Sequence, residues 1–115
     1  MTIATISCVI GMAAGLASFF AYELLVKREY AVAREAWESD GRPPGFAWAP
    51  PGTSVMRSLT RGVAYFRWIA GTPAWIRDDQ RAHQLQLWLR VFSLMAGVAW
   101  LLVVGLALLW PEFVQ

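Results

Sequence analysis

A chain of 115 residues builds one domain at most, and its apolar content of 57%, with seven Trp, lies above the roughly 45–50% usual for soluble proteins. All ten Lys and Arg fall between Lys27 and Arg90, where six acids leave a local charge of +4 against +2 for the whole chain, and the flanking stretches are almost free of charge. This excludes a sizeable water-soluble core, makes nucleic acid a poor partner because bases alternate with acids, and leaves a lone Cys8 that forms neither an internal disulfide nor a Cys-based metal cluster.

The run Ile3 to Tyr22 holds no Asp, Glu, Lys, Arg or His, and Cys8 and Tyr22 are its only ionisable groups. At about 1.5 Å per residue it covers the roughly 30 Å hydrocarbon layer of a bilayer as a helix. Only Met1-Thr2 precede it, without the basic start of a cleaved secretion signal. Gly11 and Gly15 form a GxxxG pair and Ser7 continues the spacing one turn back, a small-residue stripe that lets another backbone approach closely. Ser93, Gly97 and Gly105 repeat the device later in the chain. Either the two stripes pack on each other, or one docks on another protein. Glu23 stands four residues before Lys27, so an interfacial ion pair is expected, with a carboxylate in a proton path as the sharper reading. Helix-favouring Ala31, Ala33, Ala36 and Trp37 carry the helix onward, Arg34 has Glu38 at i+4, and Asp40-Gly41 supplies a stop with a left-handed glycine cap.

Pro43-Pro44 and Pro50-Pro51 make 41–53 an extended or turning linker, with Trp48 expected against the membrane interface. Thr53 or Ser54 caps a helix ending near Gly71. Its Met56, Leu59, Val63, Phe66 and Ala70 share one face while Arg57 and Arg61 lie on another, and Tyr65, Phe66 and Trp68 add aromatic anchors. A basic amphipathic helix of this kind lies flat on an anionic cytoplasmic surface or packs on a larger protein. Gly71-Thr72-Pro73 breaks the chain and starts a helix expected to run unbroken to Trp110. Asp78 and Asp79 suit its positive end, and Asp78 has Arg81 within reach. Val91 to Trp110 forms the second charge-free span. Trp75, Trp88 and Trp110 mark its boundaries, with Arg90 extending back toward the headgroups.

The reading is an all-α membrane hairpin: 1–40 a first transmembrane helix with a cytoplasmic extension, 41–53 a proline-rich linker, 54–71 an amphipathic interfacial helix, and 72–115 a second long helix with its span at 91–110. Basic loops are retained in the cytoplasm, which puts both termini outside, in the periplasm if the membrane is the inner membrane of a bacterium. His83 is the only histidine, so a bis-histidine haem or His-based metal site is not built from one copy. Asp79, one turn earlier, is placed to orient its ring, and a pigment or haem shared with a neighbouring subunit is the remaining cofactor reading. Asp78 and Asp79 point about 100° apart on a helix and make a poor catalytic pair. No catalytic residue, metal ligand set, cofactor or small-molecule substrate is expected. The expected partners are membrane lipids and a larger integral-membrane complex.

Gly45-Phe46, the run Tyr65-Phe66-Arg67, and Trp75-Ile76-Arg77 followed by Arg81 resemble the universal stress protein B family of small two-span bacterial inner-membrane proteins. The resemblance implies a place in stationary-phase and general stress resistance and carries no catalytic motif. The chain departs from the family in its proline pairs and in lacking an extra basic cluster before the second span. Two functional classes therefore stand beside the pigment reading: a non-catalytic accessory subunit of a larger membrane complex, and a stand-alone stress protein acting at the lipid surface.

Overall fold

The computed structural model describes residues 2–109, and every regular element among them is helical. α1 runs Ile3–Val32, α2 Arg34–Ser39, α3 Arg57–Ala70, α4 Ala74–Arg77 and α5 Gln80–Leu109. α1 and α5 are each 30 residues long and apolar enough to cross a membrane. α1 begins where the Thr2 hydroxyl accepts the Thr5 amide, the side-chain cap that the first turn of a helix needs. Ala33 leaves helical geometry at φ −138° and separates α1 from α2. α2 ends in a paired cap: Arg42 N–H donates to the Trp37 carbonyl and Gly41 N–H to that of Glu38. Gly41 sits at φ +92°, a conformation glycine takes without a side-chain penalty.

The expected start of α3 shifts. Met56, not Thr53 or Ser54, occupies its N-cap position, and no side chain caps the helix. Thr53 instead turns back on the Pro50 carbonyl, and the Ser54 hydroxyl accepts the Met56 amide just outside the helix. The expected single helix from Pro73 to Trp110 is also divided. Asp79 interrupts it, accepting the Arg81 amide at 3.2 Å as the cap of α5. An aspartate two residues before an amide is a strong N-cap, so the chain restarts its helix here rather than continuing it.

The described residues belong to two compact units, residues 2–18 with 90–109 and Phe19–Leu89. In the first, Ala4, Ser7, Gly11, Ala14 and Ser18 are the buried positions of α1, at alternating spacings of three and four. That is the seam pattern of two helices in close contact. In the second unit, Tyr22, Leu25 and Val26 of α1 pack with Ala64 and Trp68 of α3, Ile76 of α4, and Ala82, Leu85 and Leu89 of α5. Full burial of each large side chain there is worth about 1.5–3 kcal/mol.

Candidate functional site

Three features of the structure bear on function, each held within one unit. The first is the small-residue face. A Cβ on Gly11 would lie 2.9 Å from the Trp100 indole, so this glycine is the notch that admits the ring. Ser7 is buried on the same stripe, whereas Gly15 faces open space and does not continue it. On α5, Ser93 is half-buried, and Gly97 and Gly105 have no atom within 4 Å of where a side chain would begin. A groove of about 370 Å³ lies beside them in the same unit, with Ser7 and Ile10 on one wall and Leu94, Val98 and Leu102 on the other.

The second feature is a latch on the proline loop. Glu23 does not pair with Lys27. Its carboxylate accepts the backbone amides of Phe46 at 2.5 Å and Ala47 at 3.0 Å. The Tyr22 hydroxyl donates to the Pro44 carbonyl at 3.0 Å, and the Trp37 indole to that of Pro43 at 2.9 Å. Prolines remove donors but leave carbonyls, and both carbonyls of this pair are taken up by aromatic donors. Gly45 is required by approach: a Cβ there would stand 2.5 Å from the Glu23 carboxylate. Trp48 packs edge-on against Tyr30 at 5.6 Å, with Lys27 over its ring at 5.8 Å, and so belongs to this loop's own packing.

The third feature is the outer face of α3. The helix is strongly amphipathic, yet it buries Ala64 and Trp68 and leaves Leu59, Val63 and Phe66 outside, Phe66 at 70% exposure. Trp68 is fully buried against Tyr22 at 5.3 Å and Trp75 at 6.0 Å, which corrects its placement as a membrane-facing anchor. The indole is the largest side chain of the core, and no surface of it remains for lipid. Tyr65 is half-buried beside Tyr22, Arg57 is exposed, and Arg61 stacks over the Phe46 ring at 4.9 Å. Trp75 and Arg90 are half-buried and Trp88 is exposed, while Trp110 lies outside the described residues.

The local ion pairs expected from spacing give way to other partners. Arg28 grips Asp79 through two hydrogen bonds of 2.6 and 3.1 Å, and the Arg28 hydrogen bond and charge hold the Asp79 carboxyl below its ordinary value. Asp79 is therefore committed to Arg28 and the α5 cap, and not to the ring of His83, which is exposed. Arg67 pairs with Asp40 at 2.7 Å. Arg34 stacks on Tyr30 at 3.4 Å and donates to its carbonyl rather than pairing with Glu38. No Asp78–Arg81 ion pair forms among the described residues.

Gln86 is a structural side chain that spacing alone does not single out. It is buried, and its amide donates to the carbonyls of Trp68 and Gly71, the open acceptors at the end of α3, while its oxygen takes the Thr72 hydroxyl. Gln80 and Gln84 stand close by in the same polar first turns of α5, so the sequence does not mark Gln86 out. Among the described residues no group of three or more His, Cys, Asp or Glu is placed to hold a metal ion. Compared with known proteins, the chain matches no family model, and no curated protein or solved structure is significantly similar to it.

Proposed function

We propose that the chain is a two-span, non-catalytic membrane protein that docks on and stabilises a larger integral-membrane complex through the open small-residue face of α5. One observation carries this reading: only 6% of the apolar stretch of α5 is buried, and Gly97 and Gly105 on it meet no other side chain among the described residues. In lipid, helices associate by close backbone approach rather than by escape from water, so glycines left open are positions for another helix. The bacterial inner membrane is the proposed location, with both termini periplasmic and the basic middle cytoplasmic. A protease confined to the outside of spheroplasts leaves Arg57 uncut if this orientation holds.

The docking reading is tested by native mass spectrometry of the assembly extracted in mild detergent. Gly97→Leu with Gly105→Leu is expected to release the chain from its assembly while leaving it folded. A wild-type chain that emerges as a monodisperse monomer overturns the subunit role. The outward Leu59, Val63 and Phe66 favour the second reading, a stand-alone membrane protein acting at the lipid surface as the resemblance to universal stress protein B implies. A spin label at Phe66→Cys that reports lipid depth in the monomer supports it, and one that reports bulk water removes it.

A further inference from the structure

The second unit contains a cleft of about 350 Å³, within the roughly 300–1,000 Å³ range of ligand sites. Its walls are Phe19, Phe46, Tyr65 and Phe66, and its polar edge is Ser58 and Arg61. Gly62 contributes no side chain to fill it, with open space where a Cβ would be. The aromatic walls are one connected group: Phe19 lies 4.5 Å from Phe46 and 6.2 Å from Tyr65, and Tyr65 lies 6.0 Å from Phe66. Arg61 differs from the two ion-paired arginines of this unit. Arg28 and Arg67 each hold a carboxylate, whereas Arg61 rests on the Phe46 ring with its buried Nε unbonded and, among the described residues, no carboxylate within 4.0 Å.

A guanidinium held on an aromatic face, half-withdrawn from water and without a direct ion pair, has donors free for an anion. A planar fork of donors of this type matches a phosphate better than any neutral group. The position adds the second half of the argument. Phe19 and Tyr22 close the charge-free run of α1, so if Ile3–Tyr22 crosses the bilayer, these rings mark the level where hydrocarbon meets headgroup. The cleft then has apolar walls on the lipid side and a cation on the phosphate side.

We infer that this cleft is a binding site for one anionic phospholipid, its phosphate on Arg61 and Ser58 and the start of its acyl chain against Phe46 and Phe66. The inference rests on the membrane reading above, though not on docking to a complex. It assigns Arg61 a role distinct from the general attraction of a basic surface, since one particular arginine does the selecting.

The test uses the full chain in detergent, with lipid retention read by native mass spectrometry. Phosphatidylglycerol is expected to be retained about tenfold better than phosphatidylcholine, and Arg61→Gln to bring that ratio close to one. Arg81→Gln, an exposed arginine outside the cleft, leaves the ratio unchanged. Phe66→Ala, whose ring is too exposed to matter for folding, weakens phosphatidylglycerol several-fold. Inorganic phosphate at the same concentration binds at least tenfold more weakly, because the walls offer it nothing. Equal retention of the two lipids, a full effect from Arg81→Gln, or phosphate binding as tightly as the lipid overturns the site. A chain that washes off liposomes in alkaline carbonate overturns the membrane reading itself, whereas a chain that stays without lipid preference overturns the site alone.

Discussion

Gly45→Ala offers a sharp test of the latch between Glu23 and the proline loop. A methyl group on Gly45 would sit 2.5 Å from the Glu23 carboxylate, far inside van der Waals contact, so either the carboxylate or the loop must move. Both movements break the hydrogen bonds to the Phe46 and Ala47 amides. Bonds to a charged acceptor contribute about 1.5–3 kcal/mol each, and the two share one oxygen, so a cost of about 2–3 kcal/mol is expected. Glu23→Ala removes the same bonds and leaves two amides without their acceptor, with an expected cost of about 3 kcal/mol. The double variant separates this account from a general intolerance of the loop. With the carboxylate gone, Gly45→Ala has room, and its added cost is expected to fall below about 0.5 kcal/mol, a coupling of about 2 kcal/mol. Unfolding in detergent micelles, followed by tryptophan fluorescence, measures all four corners of the cycle. Strictly additive costs would refute the latch.

Gln86→Leu keeps the bulk of the side chain but strands the Trp68 and Gly71 carbonyls, and it is expected to cost about 1–3 kcal/mol in the same assay, with faster amide exchange at the end of α3. Because the Asp79 carboxyl is held below its ordinary value, near 3.8, this group contributes stability that is present above that value and lost as pH falls through the lowered one. Asp79→Asn keeps the cap, since Asn serves it equally well, and is expected to flatten part of the acid limb of a melting-temperature profile as pH falls below about 4; an unchanged limb refutes the pairing. Gly11→Leu is expected to displace Trp100, seen as a shift of its fluorescence emission in a variant that keeps this Trp alone.

The long elements were readable because charge-free runs of membrane length admit few alternatives, and α1 and α5 follow those runs. The Asp40-Gly41 stop was readable for a similar reason, as glycine is the residue that takes a positive φ cheaply. Pairings were not. Spacing offered Glu23 to Lys27, Arg34 to Glu38 and Asp78 to Arg81, each worth only a few tenths of a kcal/mol when exposed, roughly 0.2–0.5. Tertiary structure offered Glu23 two backbone amides, whereas Arg34 took another local partner, the ring and carbonyl of Tyr30 four residues back, in place of Glu38 four residues on. The break at Asp79 had a signal, an aspartate before a helix, that the dipole argument concealed: the same residue type suits both an early turn and a cap. The break at Ala33 has no proline or glycine to announce it. Trp68 was misplaced for a related reason, since an aromatic on a basic amphipathic helix fits a membrane boundary and a core equally by pattern, and only the second apolar face of α3 decides between them.

The seating of Trp100 against Gly11 has a mechanical consequence. A bulky key in a shallow keyway stops two rods from sliding lengthwise, because an axial slip drives the indole onto the next side chains along the seam, Ser7 or Ala14. One residue pair thus sets the longitudinal alignment of the α1 and α5 segments in that unit, in a setting where greasy surfaces alone would let them creep.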